Sequence, residues 1–295
     1  MTSSSSSRKN AKNTSPLWLL PLSGWMAFFY LIPLFFIIFT SFKTMVDYRL
    51  TNEYTLQNYI VIFTNPLYLK ALGTSLWLAF RVVLITAAIA YPLGMVLAFV
   101  VPKRRRLLFL VLIIAPFWTS YLIRAYSWFI VLGNNGIVNV LLMKLGIITQ
   151  PITILYTNTA TMIGLVHYLM PIMTLNIYNT LENIDHNLLE AANDLGARGL
   201  KSFFYVILPL SAGGLVSGMM FIFILAFADF VSPATLGGQS VRVFPQLIVD
   251  SVQWNINWPL ASSLSIVMIA TIFLVLIVIS LFRNVGNREL GGSGK

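Results

Sequence analysis

The stretch Leu260-Ala-Ser-Ser-Leu-Ser-Ile-Val-Met-Ile-Ala-Thr-Ile-Phe-Leu-Val-Leu-Ile-Val-Ile-Ser-Leu-Phe282 carries no charged residue. As a helix it rises about 35 Å, and a hydrocarbon core is crossed by about 20 apolar residues. Working outward, the chain holds five more stretches of this kind, at 17–39, 74–101, 107–132, 159–180 and 210–232. The first is also free of charge; the others carry one polar titratable group each, Arg81, Arg124, His167 and Asp229 in order. Composition agrees with a bilayer. Of 295 residues 58% are hydrophobic and 9% charged, whereas soluble domains are about a quarter charged. A soluble enzyme is excluded, because so few polar groups cannot build a water-facing surface. The expected fold is all-α, an integral membrane protein with six transmembrane helices.

Charge placement sets the expected orientation. With the N-terminus inside, inner segments hold Arg8, Lys9, Lys12, Lys103, Arg104, Arg105, Arg106, Arg198, Lys201, Arg283, Arg288 and Lys295, which is 12 of the 19 basic residues. Outer segments hold Lys43, Arg49, Lys70, Lys144 and Arg242. The bias predicts both termini inside, and the run Lys103-Arg104-Arg105-Arg106 decides it, since four adjacent cations are costly to translocate. The net charge of +10 is thus a topology signal with an attraction to anionic headgroups, and no folded basic domain exists to bind nucleic acid. The first span is too long for a signal-peptide core and lacks a small-residue cleavage site, so it is expected to stay as an anchor. Residues 1–16 are expected as a disordered inner segment, residues 17–285 as the six-span domain, and 286–295 as a tail with a linker-like end. That tail is no phosphate loop, because Glu289 stands where GxxxxGK[ST] needs its first glycine.

The absence of cysteine removes disulfides and thiol chemistry. His167 and His186 alone cannot form a metal cluster. No nucleophile–base pair or paired intramembrane aspartates stand out, and catalysis within this chain is not expected. Among the loops, 41–73 is long enough for a strand or short helix. The half-apolar segment 137–148 is too short to cross and is expected to lie at the interface or over the bundle.

The inner loop 181–209 is the most informative. It reads Leu181-Glu-Asn-Ile-Asp-His-Asn-Leu-Leu-Glu-Ala-Ala-Asn-Asp-Leu-Gly196. Asp185 is a good N-cap, Leu188, Leu189, Ala192 and Leu195 recur at helical spacing, and Gly196 fits a left-handed C′ position. Either this short helix packs on its own bundle or it docks on a partner; spacing alone leaves both open. Glu190-Ala191-Ala192, then Gly196, then Val206-Ile207-Leu208-Pro209 resembles the EAA signature, EAA-x3-G-x9-I-x-L-P, of permease subunits in ATP-binding-cassette (ABC) importers. Val206 in place of isoleucine is the one departure. Pro116-Phe-Trp118-Thr-Ser-Tyr121-Leu-Ile-Arg124, Asn135-Gly-Ile-Val-Asn139, Asp229-Phe230-Val-Ser-Pro233 with Leu236-Gly-Gly238, and Asn257-Trp-Pro-Leu-Ala-Ser262 look like permeases of the spermidine/putrescine transport family.

The resemblance implies a type I importer in the bacterial cytoplasmic (inner) membrane. Two permeases, often two different homologous chains, form its channel. Two ATPase subunits hold the ATP and Mg²⁺, each receiving one EAA helix, and an extracytoplasmic solute-binding protein delivers the cargo. It assigns ATPase coupling to Glu190, Ala191, Ala192, Gly196, Leu208 and Pro209, with Pro209 ending the connection before the fifth span. This chain needs no cofactor. The cargo implied is a polyamine such as spermidine or putrescine, or else an opine, amino-acid derivative or other small organic solute. A self-sufficient secondary transporter or channel would need its own coupling-ion site or paired broken helices, and neither is visible in the sequence.

Counting rise per residue places Arg124 about 25 Å and Asp229 about 28 Å from the inner edge, with Arg81 about 10 Å and His167 about 12 Å from the outer surface. Arg81, Arg124 and Asp229 are therefore candidates for an ion pair that orients the bundle. Asp229 is, after that structural reading, also a candidate for an ammonium site, with Phe230, Tyr121 and Trp118 as aromatic neighbours along the solute path. Asp250 and Glu53 are placed outside, where they meet solute or binding protein. Trp254 and Trp258 fit an interfacial belt. Pro33, Pro92, Pro116 and Pro171 are expected to kink spans, and Gly213, Gly214 and Gly218 to let helices approach closely.

Overall fold

The computed structural model describes residues 20–291. The polar segment 1–16 with Arg8, Lys9 and Lys12, the start of the first span at Leu17, and the ending 292–295 lie outside the described residues. Helix α1 (Leu20–Ser41) leads into a hairpin, β1 (Lys43–Val46) and β2 (Arg49–Tyr54), and then α2 (Gln57–Thr64) and α3 (Pro66–Met95). After a π turn at Val96–Val100 come α4 (Lys103–Ile114), α5 (Tyr121–Leu132), α6 (Ile137–Lys144) and α7 (Asn158–Glu182). The chain closes with α8 (His186–Asp194), α9 (Leu200–Ser202), α10 (Leu208–Ala228), α11 (Phe244–Gln253) and α12 (Trp258–Gly291). Six helical stretches are long and apolar enough to cross a membrane.

The bundle is organised around α3, α7 and α10. Leu78 and Val82 of α3, Leu165, Leu169 and Met173 of α7, and Ile222 and Phe227 of α10 share one buried core. Small residues let the axes close up. A side chain at Gly94 would put its Cβ 2.6 Å from Ile177 Cγ2 and 3.3 Å from the Tyr178 amide. Gly218 is pressed on Asn176, and Gly214 on Thr180. Gly213, expected to do the same, has open space beside it, because at about 100° per residue it faces away from α7. A polar link, Tyr91 OH to Ser211 Oγ at 2.6 Å, ties α3 to α10 inside the core.

A second core joins α11 to α2, α3 and α12 through Phe244, Leu247, Ile62 and Leu264. The Phe244 amide donates to Ser75 Oγ at 2.7 Å. Sequence periodicity did not single out α11, a ten-residue amphipathic helix whose buried face becomes visible only against these partners. In the 41–73 loop, the Asn58 side chain donates to the Ser41 and Lys43 carbonyls, and Thr44 and Thr51 pair across the hairpin. Helix α1 packs chiefly on α12 and stays outside the main cores.

Three spans differ from their sequence boundaries. The second begins at Pro66 rather than 74, because Asn65 caps it by accepting from the Leu67 amide at 2.9 Å and proline suits a first helical position. The third is broken. Helix α4 ends in a 3₁₀ turn, Ala115–Trp118, Thr119 and Ser120 are extended, and α5 starts afresh at Tyr121. Pro116 removes one amide donor at this point. Length and apolarity alone would draw this crossing at Tyr121–Lys144. The lateral contacts place it on α4 plus α5 instead: Arg106 meets Glu182 at one end of α7, Tyr121 stacks on Tyr168 in its middle, and Leu132 packs with Ala160 at the other. Between α5 and α6 the chain turns at Gly133 and Gly136, and α6 lies against α5.

The fifth span begins at Leu200 rather than 210. Pro209 therefore lies within a continuous helical run and does not end the connection. The π turn Phe203–Ile207 makes this possible: the Leu208 amide reaches back five residues to the Phe203 carbonyl, and the widened turn relieves the collision proline imposes on the carbonyl four residues before it. The other expected kinks divide in the same way. Pro33, Pro92 and Pro171 sit inside α1, α3 and α7, while Pro116 breaks its span.

Overpacking the α3–α7 contact is expected to destabilise the chain. Gly94→Leu should lower unfolding free energy by about 1–3 kcal/mol, whereas Gly213→Ala should not lower it at all. Thermal unfolding of the detergent-purified chain checks the pair, and equal losses for both would contradict the packing described.

Candidate functional site

Two places concentrate chemistry. The first is α8. Asp185 caps it, its carboxylate accepting from the Asn187 amide at 2.9 Å. At the other end Ala197 N donates to the Ala192 carbonyl at 2.9 Å and Gly196 N to the Asn193 carbonyl at 3.0 Å. With Gly196 at φ +85°, this is a complete Schellman cap. The short helix is thus locked at both ends.

Its apolar residues do not share one face, as spacing had implied. Ala192 is buried, and Leu189 packs against the main core, which includes Ile184 and Ile207. Leu188 and Leu195 are exposed, Leu195 by 89%, together with Glu190 and Ala191. The helix therefore packs on its own bundle by one side only. One side seats it on its own bundle, beside the π turn at Phe203–Ile207; the other is open. Leu200, Phe204 and Tyr205, which the sequence reading passed over, are exposed next to it. Leu208 is half-buried and Pro209 exposed.

The second place is where two helix breaks meet. Helix α10 stops at Ala228, Asp229 is extended, and a short helical segment resumes before the π turn Pro233–Gly237. Asp229 Oδ2 accepts from the Ser232 amide at 2.9 Å, capping that new segment. Tyr121, the first residue of α5, donates from its hydroxyl to Asp229 Oδ1 at 2.9 Å and lies 2.7 Å from Ser232 Oγ. Ser232 and Tyr168 were not among the sequence candidates. A serine three residues after an aspartate at a helix end was the available signal for the first; nothing in spacing marks the second.

Arg124 does not pair with Asp229. Among the described residues the one ion pair is Arg106–Glu182 at 3.0 Å. The Arg124 guanidinium instead lies over the rings of Phe117 at 5.0 Å and Tyr168 at 5.4 Å, with Nε and Nη1 buried and unpartnered. Tyr121 donates to one Asp229 oxygen and the Ser232 amide to the other. A cavity of about 10 Å³ lies beside Arg124, Tyr121, His167 and Ser232, about the room one water needs. His167 packs edge-on to Trp128 at 5.5 Å. Arg81 is also unpaired with Asp229 and sits over Trp77 at 5.5 Å.

The remaining path candidates separate. Trp118 is 79% exposed and Phe230 exposed, both at the breaks and both turned out of the single chain. Asp250 belongs elsewhere. It lines a cavity of about 650 Å³ with Tyr68, Gln239, Arg242 and Trp254, and accepts from Gln246 Nε2 at 2.9 Å.

The geometry makes Asp229 a holder of helix ends. Asp229→Asn replaces one acceptor oxygen by a donor, and Tyr121→Phe deletes the hydroxyl. Each should lower stability by about 1–3 kcal/mol, and the double variant should lose less than the sum by at least about 0.5 kcal/mol. Thermal unfolding of the four proteins is the measurement, and strict additivity would refute the contact.

Comparison with known proteins identifies the family. Residues 90–289 match the family model described as binding-protein-dependent transport system inner membrane component. The spermidine/putrescine transport system permease protein PotB of Haemophilus influenzae is 38% identical over 264 residues, covering 88% of this chain and 90% of that protein. PotB of Escherichia coli K12 is 36% identical, covering 88% and 94%. In three dimensions, a bacterial ABC transporter involved in the import of the acidic polysaccharide alginate superimposes with a TM-score of 0.76 at 15% identity, covering 90% of this chain and 93% of that one. The chain is therefore a member of the binding-protein-dependent transport system inner membrane components, the non-catalytic permease subunits of ABC importers.

Proposed function

We propose that this chain forms one half of the channel of an ATP-driven importer for a polyamine such as spermidine or putrescine. A second, homologous permease supplies the other half. An extracytoplasmic binding protein delivers the cargo, and a pair of ATPase subunits holds ATP and Mg²⁺. The cargo reading rests on the relatives that align over 88% of the chain. The coupling reading rests on one structural observation: α8 is capped at both ends, seated by Leu189 and Ala192, and open along Leu188, Glu190, Ala191 and Leu195. The end carrying α8 also carries Lys103-Arg104-Arg105-Arg106, and the positive-inside rule supports a cytoplasmic side for it.

A rigid peg of this build transmits displacement. When the ATPase subunits close on nucleotide, they carry α8 with them. Leu189 and Ala192 pass the motion to the Phe203–Ile207 turn, and so to the helical run ending at Asp229. The Tyr121–Asp229–Ser232 contact then links that movement to the break in the third span, where Trp118 and Phe230 face the partner permease and the solute path. The transition is a rigid-body switch between outward and inward access. Asp229, held by Tyr121 and Ser232, acts in it as a structural joint. Asp250 lies in a separate polar cavity at the opposite end, within reach of the binding protein or the arriving solute.

Gly196→Asp forces a side chain onto φ +85°, an arrangement costing an L-residue about 1–2 kcal/mol, and Glu190→Lys reverses charge on the open face. Both variants are expected to insert normally, lose at least about tenfold in spermidine uptake by cells (a barrier change of about 1.4 kcal/mol), and fail to retain the ATPase on purification. Normal uptake by a well-inserted double variant would defeat the coupling role. Normal ATPase coupling without any polyamine uptake would defeat the cargo alone.

A further inference from the structure

Helix α4 is built unlike the others. It opens on four consecutive cations, Lys103, Arg104, Arg105 and Arg106. The N-terminus of a helix is its positive end, so these cations add to a charge already unfavourable to them. Among the described residues, Arg106 alone of the four is paired with a carboxylate. Its guanidinium pairs with Glu182 at 3.0 Å and donates to the Ala98 and Val101 carbonyls at 2.6 and 3.1 Å. Lys103, Arg104 and Arg105 are exposed and have no partner among the described residues.

The rest of α4 points the same way. None of its residues is buried. Leu107 and Leu108 are 71% and 58% exposed, and Phe109, Val111 and Leu112 are exposed as well. Successive residues turn by about 100°, so these side chains surround most of the helix. A protein partner would cover one side and leave a polar one; here apolar surface runs around the axis, directly below a ring of cations. That is the profile of a helix solvated by lipid tails with its first turn at headgroup level, where lysine and arginine stems extend along hydrocarbon and their charges reach the interface.

We propose that Lys103, Arg104 and Arg105 form a binding site for the phosphate of an anionic phospholipid, held at the start of α4 beside the Arg106–Glu182 pair. The bound headgroup supplies the negative charge that the sequence omits from this turn, and it fixes the depth of the broken third span. The proposal depends on the chain spanning a membrane and on α4's own surface, not on the identity of the cargo.

The test uses the intact transporter, or the full chain, purified from nanodiscs containing phosphatidylglycerol and phosphatidylcholine in equal amounts. Retained lipids are counted by native mass spectrometry. The native protein should retain phosphatidylglycerol in preference to phosphatidylcholine. Each cation near an anionic surface is worth about fivefold in affinity, so Arg104→Gln should lower retained phosphatidylglycerol about fivefold. Lys103→Gln/Arg104→Gln/Arg105→Gln should abolish the preference, while Lys103→Arg/Arg104→Lys/Arg105→Lys should preserve it. Equal retention of the two lipids by the native protein would overturn the proposal, as would an unchanged preference in the triple glutamine variant. Should that variant fail to insert, Arg104→Gln and Arg105→Gln carry the same readout singly. A photocrosslinker at position 104 that captures an ATPase subunit or a second permease in place of lipid would also overturn it.

Discussion

In hydrocarbon a backbone amide or carbonyl has no water to turn to, so every interruption of a helix must bring its own partners. This chain interrupts its crossings repeatedly, and its architecture follows from how each interruption is met. At the break in the third span, Thr119 Oγ1 donates to the Pro116 carbonyl at 2.7 Å. After α10, the Asp229 carboxylate takes the Ser232 amide, and Tyr121 closes on the same carboxylate from the other broken span. Around Pro209 the lost bond is absorbed by a π turn. At the turn leaving α5, buried Asn139 donates to the Gly133 and Ile152 carbonyls and accepts from the Ile152 amide. At the openings other than the π turn, a polar side chain meets the freed backbone group or the carboxylate that caps it.

That constraint also orders the site. A carboxylate that closes two helix ends cannot be moved without moving both, so Asp229 joins the third and fifth crossings mechanically. The arginines are handled otherwise. Arg124 and Arg81 spread their charge over aromatic faces, a contact that tolerates small rotations better than a directional ion pair does. The breaks are thus held by directional hydrogen bonds, and the arginines beside them by less directional aromatic contacts.

The seating of α8 follows similar logic at the bundle's end. A nine-residue helix is too short to persist alone. It persists because Asp185 and Gly196 close its ends and because Leu189 and Ala192 rest on the core, which leaves the opposite side free for another protein. Helix α8 lies against the π turn Phe203–Ile207, within the helical run of the fifth crossing.

Much of this was present in the chain before folding. Six apolar runs, the Lys103-Arg104-Arg105-Arg106 cluster, the Asp185 and Gly196 caps and the EAA spacing are local or periodic, and local chemistry is what a linear sequence states. The sequence could not state which residues meet across the bundle. Tyr121 and Asp229 are separated by 108 positions, and Arg106 and Glu182 by 76. Arg124 and Asp229 lie at nearly the same counted depth, yet depth has no azimuth, and the tertiary packing turned Arg124 toward Phe117 and Tyr168. The division of α8 into a seated and an open side, the broken third span and the early start of the fifth were likewise decided in three dimensions. There a proline's missing bond or a leucine's neighbour depends on what the rest of the chain has brought alongside.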